Sequence, residues 1–507
     1  MPRGRATMRI GLPGSAASYG HAAGGGDHMS GKGLNGTPLT ADFANGGVSY
    51  WYRQIGVPER RTALPGPREY DVAIVGGGYT GMWTAYYLKK AQPDLRIAIL
   101  EKEFAGFGAS GRNGGWLSAE FAGSRERHAA ARGRQAMIDL QHAMFTAVDE
   151  VIEVMRAEGI NADVHKGGLV HVATNPAQNR RMHAELADLR SWGFAEQDMR
   201  LLSREEQDDR IRVAGAISAT FSPHCARIQP AKLAVGLARV VTALGVDLFE
   251  GTTVTEIRPR AGGKEGRAAA VTNRGTVTAE YVIRATEGFT AGIQGQRRQW
   301  LPMNSSMIVT EPLSDEVWDK IGWRDHELLG DEAHAYCYAQ RTADGRIAIG
   351  GRGVPYRFGS RTDVRGATQP QTVAALRKIM TTLFPATAGA RIHHSWCGVL
   401  GVPRDWCSTV HLDHATGLGW AGGYVGSGVT TTNLAGRTLR DLVLRRETEL
   451  TALPWVGRQV RQWEPEPLRW IGVQAIYALF RTADRHESAQ MGRTSAYARL
   501  ANLISGR

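Results

Sequence analysis

The pattern of hydrophobic and polar residues predicts a chain that alternates between strands and helices. Residues 72–75 form a short apolar run rich in β-branched side chains, which is typical of a strand covered on both faces. A glycine turn and a helix follow, and residues 96–100 form a second such run that ends at Glu101. This order predicts two parallel strands joined by a helix.

The spacing of apolar residues changes several times farther along the chain. Helical spacing predicts helices near residues 128–156, 178–192 and 228–244, with strands between them and up to residue 285. Asp344 and Gly345 favour a tight hairpin turn, because both can adopt positive φ. The strand before this turn would carry four side chains on one face at period two: His334, Tyr336, Tyr338 and Gln340.

Three glycines follow the first strand in the pattern G-x-G-x-x-G: Gly76, Gly78 and Gly81. The first permits the turn, the second lets backbone N–H groups approach a pyrophosphate, and the third lets the helix pack on the strand. Glu101 lies where a carboxylate is expected to bind the adenosine ribose. Because the motif has a strand before it, a helix after it and this acid, we predict a dinucleotide site.

A second glycine-rich segment, residues 106–115, reads Gly-Phe-Gly-Ala-Ser-Gly-Arg-Asn-Gly-Gly. Its place directly after Glu101 favours a ligand-binding loop over a plain surface loop. Together with the dinucleotide motif, this segment resembles the D-amino-acid-oxidase-like flavoproteins, a family that includes glycine, sarcosine and γ-glutamylputrescine oxidases. The resemblance implies that the loop runs beside the ribityl chain and ring of FAD.

Later segments carry the same resemblance. Val254 corresponds to a backbone contact with adenine, and residues 285–288 correspond to a turn that closes over the dinucleotide. Glu287 replaces the usual asparagine of that turn, and we expect the backbone role to be kept. A last glycine turn, at 418–430, leads into a helix whose N-terminus would stabilise negative charge on the reduced flavin.

The resemblance implies that FAD is the cofactor. The residues it assigns to the cofactor are Gly76, Gly78, Gly81, Glu101, Lys102, Ser110, Arg112, Asn113, Gly114, Gly115, Val254, Thr286, Gly288, Gly423, Gly426, Gly428 and Val429. Some relatives tether the ring through a cysteine near the last glycine turn, where Cys397 falls in this chain. Its flanking residues do not match theirs, and a buried free thiol is commoner, so we predict non-covalent FAD.

We predict an α/β fold in which a discontinuous Rossmann-type FAD-binding domain is joined to an α+β substrate domain with an antiparallel sheet. The predicted segments are a disordered leader (1–47), a lead-in arm (48–64), the FAD-binding domain (65–160, 225–300 and 395–445), the substrate-binding domain (161–224 and 301–394) and a C-terminal helical tail (446–507). The tail contains an amphipathic stretch, residues 468–480. We expect it to dock on the body, with a membrane surface as the alternative.

Composition narrows the functional classes. The chain has 507 residues, 42% of them hydrophobic, and no apolar run approaches the ~20 residues needed to span a bilayer. The net charge of +12 comes mostly from arginines spread along the chain, without a basic block, so we predict no nucleic-acid partner. The cysteines lie far apart without a C-x-x-C pair, which indicates neither a metal site nor disulfides and fits the cytoplasm.

The resemblance implies oxidation of a C–N bond in a primary or secondary amine. Hydride would pass to FAD, the imine would hydrolyse, and oxygen would reoxidise the flavin to give peroxide. The candidate residues of the substrate pocket, predicted as catalytic, are His334, Tyr336, Tyr338 and Arg352.

The substrate is predicted from the absence of an arginine pair. Amino-acid oxidases of this family hold the α-carboxylate with arginines from two strands. Here Gln340, not Arg341, shares the face of Tyr338, and the second strand, near Trp396, has no arginine. We therefore predict an amine without an α-carboxylate, nearest to the γ-glutamylputrescine oxidases, with Arg352 left as an anchor for a distal carboxylate.

Two other functions stay open at this point. One is a membrane-surface amine or amino-acid dehydrogenase that passes electrons to quinone through the tail. The other is a flavoprotein that acts on nucleic acid, prompted by the positive charge. The sequence does not indicate which amine is oxidised, whether oxygen is the acceptor, or the oligomeric state.

Overall fold

A computed structural model of the protein describes residues 36–261, 266–351, 356–362, 365–488 and 493–505. The strands are β1 (Leu39–Asn45), β2 (Arg68–Val75), β3 (Ile97–Leu100), β4 (Trp116–Ser118), β5 (Leu169–Ala173), β6 (Arg200–Leu201), β7 (Ser218–Ser222), β8 (Cys225–Arg227), β9 (Asp247–Phe249), β10 (Val254–Arg258), β11 (Ala268–Thr272), β12 (Gly275–Arg284), β13 (Leu301–Thr310), β14 (Leu328–Asp331), β15 (Tyr338–Arg341), β16 (Ile347–Gly351), β17 (Ile392–Val402), β18 (Thr409–Asp413) and β19 (Leu418–Gly422). The helices are α1 (Tyr50–Ile55), α2 (Tyr79–Ala91), α3 (Arg125–Ala157), α4 (Pro176–Trp192), α5 (Arg204–Arg210), α6 (Pro230–Ala243), α7 (Asp315–Ile321), α8 (Pro370–Leu383), α9 (Gly428–Val443), α10 (Leu468–Ser488) and α11 (Ala496–Ser505).

A parallel sheet carries the glycine motif. Its strands run β9, β3, β2, β12 and β19, with β18 paired to β19 and the antiparallel β11 and β10 continuing from β12. The apolar run of β2 is covered on both faces, since residues 72–75 are all at most 3% exposed. The strand–helix–strand unit predicted from the sequence is confirmed.

Helix α2 lies in the core between this sheet and helix α9. Trp83 is fully buried, and burial of such a side chain stabilises the fold by about 2–3 kcal/mol. A Cβ on Gly436 of α9 would lie 2.8 Å from the Trp83 carbonyl carbon, so a glycine is required where the two helices cross. This packing fixes both helix N-termini relative to the sheet.

A second sheet of nine strands forms the other layer. Its order is β1, β17, β13, β16, β15, β14, β5, β7 and β6, and the pairs β1–β17 and β14–β5 are parallel whereas the other pairs are antiparallel. The predicted class, an α/β fold with a Rossmann-type domain and a largely antiparallel second domain, is confirmed. The predicted hairpin at Asp344 and Gly345 joins β15 to β16.

Three expected boundaries differ from the structure. Leu39–Asn45, inside the predicted leader, forms β1 because its edge pairs with β17. Strand β17 extends to Val402 in the second sheet, so a domain boundary at residue 395 would cut a strand. Strand β15 begins at Tyr338, and His334 and Tyr336 lie in the preceding turn. The predicted strand face of His334, Tyr336, Tyr338 and Gln340 is therefore not formed.

The C-terminal tail docks on the body. Val473, Ile476, Tyr477 and Phe480 of α10 are all at most 7% exposed, so the apolar face of this helix is used in packing. Among the helices of the described residues, none combines the length and the apolar character required to cross a membrane.

Candidate functional site

The turn between β2 and α2 forms one end of an elongated cavity. Gly76 has φ 109°, and a Cβ there would lie 2.6 Å from the Ala285 carbonyl oxygen, so only glycine fits. Gly78, the N-cap residue of α2, has no side chain, and the Tyr79 N–H donates to Oγ of Ser110 in the neighbouring loop at 2.9 Å. The turn thus presents backbone N–H groups and the positive end of a helix, as an anionic phosphate requires.

Glu101 follows β3 and faces the same cavity. Its carboxylate accepts the N–H groups of Gly77 at 2.7 Å and Glu103 at 2.8 Å. Burial raises the pKa of Glu101 to about 7, and these two hydrogen bonds oppose the shift. A carboxylate held in this way is able to accept further hydrogen bonds from ligand hydroxyl groups.

The segment 106–115 lies along the cavity, and hydrogen bonds on the side away from the cavity hold it in place. Asn113 donates to the carbonyl oxygens of Ala109 and Ser110, so the loop is held by its own side chain. Arg112 is 2% exposed, donates to Phe107 O at 2.8 Å and to Cys397 O at 3.3 Å, and stacks over the Phe107 ring. Arg112 therefore ties the loop to β17 without lining the cavity.

The other end of the cavity is built around Glu287. Its carboxylate accepts the N–H groups of Gly423 and Tyr424, each at 3.0 Å, and so joins the turn after β12 to the last glycine turn. Burial raises the pKa of Glu287 to about 7, and these N–H groups lower it in part. Glu287 has φ 43° and Val425 has φ 55°, so backbone strain is concentrated here.

The cavity has a volume of about 420 Å³. The predicted cofactor residues that line it are Gly76, Gly78, Glu101, Lys102, Ser110, Asn113, Val254, Thr286, Gly288, Gly426, Gly428 and Val429. Those that do not line it are Gly81, Arg112, Gly114, Gly115 and Gly423. Gly81 allows the close approach of α2 to the Gly76 carbonyl oxygen, and Gly115 packs on Gln340.

Sequence reasoning missed several lining residues: Phe107, Thr252, Thr253, Phe289, Arg297, Leu400 and Tyr424, together with the side chain of Glu287. The signal for Glu287 was present, since a charged residue in a glycine-rich turn needs a partner. We expected only a backbone role for this turn, and that expectation was incomplete.

A second cavity, of about 560 Å³, adjoins the first at the N-terminus of α9. Ser427 lines the second cavity between Gly426 and Gly428, which line the first. Tyr336 also lines it, and its hydroxyl oxygen lies 3.9 Å from the position of a Cβ on Gly426. A molecule in the second cavity would therefore lie next to the last glycine turn.

The four predicted catalytic residues have different surroundings. His334 lines the second cavity, but its Nε2 lies 2.9 Å from Glu487 Oε1 and its ring stacks on Phe480, so α10 holds it. Tyr338 lines neither cavity, and its hydroxyl lies 2.9 Å from Ser305 Oγ. Arg352 lies outside the described residues.

His334, Asp484 and Glu487 have their ligand atoms within 4.8 Å of one another. Hydrogen bonds account for this group, since Asp484 accepts the N–H groups of His334 and Ala335 and Glu487 accepts that of Ser495. The arrangement anchors the turn before β15 to α10.

The model of the DAO family, described as FAD dependent oxidoreductase, matches residues 71–442. The chain belongs to this family. It is therefore an FAD-dependent oxidoreductase, as the resemblance implied, and FAD is its cofactor.

Curated relatives include γ-glutamylputrescine oxidoreductase of Escherichia coli (strain K12), 31% identical over 388 residues that cover 75% of this chain and 84% of the relative. A probable oxidoreductase of Rhizobium meliloti (strain 1021) is 28% identical, with 80% and 90% covered. The crystal structure of glycine oxidase from Geobacillus kaustophilus superimposes with a TM-score of 0.65 at 24% identity, covering 77% of this chain and 99% of that one.

The first cavity fits this cofactor. A helix N-terminus lies at each end, at Gly78 of α2 and at Gly428 of α9, and Glu101 places a carboxylate between strand and loop. None of the four cysteines, all within the described residues, lines it. Cys397 is buried in β17, and its N–H donates to Gly366 O.

Proposed function

We propose that this flavoenzyme oxidises a C–N bond of a primary or secondary amine to an imine, with oxygen as acceptor and peroxide as product. The bound FAD would accept a hydride from the carbon next to nitrogen. The residues of the first cavity named above would hold the cofactor. The second cavity would hold the amine, because it adjoins the first at Ser427 and Tyr336.

The lack of an arginine pair for an α-carboxylate carries the choice of an amine. Gln340 of β15 is buried and donates to Gly114 O, whereas Arg341 turns to the opposite face and stacks over Trp318. The two arginines of the second cavity are already paired, Arg125 with Asp188 at 2.8 Å and Arg181 with Glu487 at 2.7 Å. An α-carboxylate would thus lack a bidentate partner among the described residues.

The chain's own contribution is to position the amine and to exclude water. Tyr336 and Trp116 provide aromatic walls, and Trp116 is braced edge-on by Tyr338 with 6.1 Å between ring centroids. The N-terminus of α9 faces the cofactor cavity at Gly428 and would stabilise negative charge that develops there.

The test is steady-state specificity over glycine, sarcosine, D- and L-amino acids, monoamines, polyamines and γ-glutamyl amines, with peroxide measured against amine consumed. We expect amines to give the highest kcat/KM and peroxide to form in a one-to-one ratio. A simple α-amino acid that exceeds every amine tried would refute the substrate assignment. Flavin reduction by amine without peroxide formation would refute the acceptor alone.

A further inference from the structure

Acidic side chains dominate one side of the second cavity. Glu120 follows β4, Glu185 lies on α4, and Glu332 follows β14, so three distant segments bring carboxylates to one place. They surround His171 of β5: Glu332 Oε1 lies 3.2 Å from Nδ1, and Glu120 Oε1 lies 3.5 Å from Nε2.

His171 does not neutralise this group. Burial alone would lower the pKa of His171, but the hydrogen bond to Glu332 and the charges of Glu120 and Glu332 raise it to about 9. One imidazolium therefore faces three carboxylates, which leaves an excess of negative charge. Gly330 faces the imidazole across the sheet, where a Cβ would lie 2.8 Å from Nε2, so a side chain at this position would clash with the ring.

Glu185 lacks a partner of its own. Among the described residues its carboxylate makes no hydrogen bond or ion pair, although it lies in the cavity. The side chain of Glu185 is open to solvent. Desolvation within the cavity and the charge of Glu332 raise its pKa, and the charges of His171 and Arg125 lower it in part. A carboxylate in this situation is stabilised by a cation placed within hydrogen-bond distance.

The cavity's arginines offset these charges only in part. Arg125 pairs with Asp188, and Arg181 pairs with Glu487. Neither of these two acids lines the cavity, so each arginine forms its ion pair with a carboxylate outside the cavity lining. The surface presented to a small molecule keeps its negative excess.

Resting on the amine oxidation proposed above, we propose that the substrate carries a second cationic group, as in a di- or polyamine, and that Glu120, Glu185 and Glu332 bind it. One amino group would be oxidised beside the last glycine turn. The remote ammonium would replace solvent at the three carboxylates and form charge-assisted hydrogen bonds there. A monoamine leaves these carboxylates unpaired, and a remote carboxylate would be repelled by them.

The experiment compares flavin bleaching, without oxygen, by straight-chain monoamines, α,ω-diamines of equal length, triamines, and amines with a terminal carboxylate. We expect kcat/KM for diamines or triamines to exceed that of the matched monoamine by at least about tenfold. In Glu185→Gln and Glu120→Gln this ratio should fall toward one, because the KM for the diamine rises more than the KM for the monoamine. The matched control is Glu447→Gln, an exposed acid far along the chain, which should leave the ratio unchanged.

Each other result contradicts the inference. Equal kcat/KM for monoamine and diamine, a preference for the terminal carboxylate, or an unchanged ratio in both glutamine variants would overturn it while leaving amine oxidation intact. If no amine bleaches the flavin, both this inference and the proposed function fail.

Discussion

At the scale of single residues, Glu287 shows how one side chain organises the cofactor site. It is half-buried near Arg284, has a positive φ, and its carboxylate accepts two N–H groups of the last glycine turn. Those N–H groups have no other acceptor of comparable geometry in the described contacts, so the turn depends on this carboxylate. The role follows from its side chain rather than from the backbone alone.

Glu287→Ala should therefore weaken FAD binding. Loss of the acceptor would leave the N–H groups of Gly423 and Tyr424 unsatisfied, at a cost of about 1–3 kcal/mol each, and would loosen the turn before α9. We expect the FAD dissociation constant to rise at least about tenfold, measured by flavin fluorescence on titrating the apoprotein. Glu287→Gln keeps one acceptor oxygen and should lose less. Exposed Glu280→Ala is the control, and equal affinity in all four proteins would contradict this role.

His171 should make stability depend on pH. Its pKa is raised from 6.5 to about 9 in the folded protein, so its contribution is complete below about pH 6.5 and is lost as pH rises through 9. We expect the substitution His171→Gln to lower the free energy of unfolding in urea more at pH 6 than at pH 9.5. The difference between the two pH values should be about 3 kcal/mol. A difference that does not change with pH would show that folding leaves the pKa of His171 unchanged.

At the scale of elements, the C-terminal helices lie beyond the part of the chain that matches the family. The family match ends at residue 442, whereas α10 and α11 lie beyond it and place Phe480 and Asn502 in the lining of the second cavity. The docking expected from the sequence is thus observed, and the helix also supplies part of a wall.

Phe480→Ala should test this wall. The side chain is 3% exposed, contacts Ile476 and Ala501, and stacks on His334, so truncation should cost about 3–5 kcal/mol of stability. We also expect KM for the amine to rise several-fold with a smaller change in kcat, because the cavity becomes wider while the cofactor site is untouched. Leu468→Ala, at a position 62% exposed, is the control. Unchanged KM in a folded Phe480→Ala protein would exclude the tail from the substrate site.

At the scale of the whole molecule, two layers enclose adjoining cavities. The parallel sheet and the N-termini of α2 and α9 form the cofactor cavity, and the larger sheet with α4 and α10 forms the second. The last glycine turn lines both cavities, so it would couple the position of the cofactor to that of the proposed amine.

The flavin should be released from the denatured protein. All four cysteines are buried and free. None lines the cofactor cavity, and Cys337 lines only the adjoining second cavity, so we expect no bond between a thiol and the ring. After acid precipitation we expect the yellow colour in the supernatant, measured by absorbance. Colour that remains in the washed pellet would show a covalent bond.

The sequence by itself determined the loops and turns that line the cofactor cavity. The glycine turn, Glu101 and the 106–115 loop are local motifs whose backbone requirements can be read residue by residue, and most of their predicted contacts line the cavity. Arg112 and Gly115 were placed in the right loop, but their contacts lie behind it, on β17 and Gln340. Local sequence gives the path of a loop more readily than the direction of each side chain.

Only the tertiary structure decided the rest. The acidic group around His171 joins residues of α4, of β5 and of the segments after β4 and β14, which no spacing in the sequence relates to one another. His334 and Tyr336 left the predicted strand because Asp484 of α10 binds the backbone of their turn. Strand β1 formed within a glycine-rich segment because β17 offered it a free edge. In each case a contact distant in sequence outweighed the local pattern, and such contacts exist only once the chain has folded.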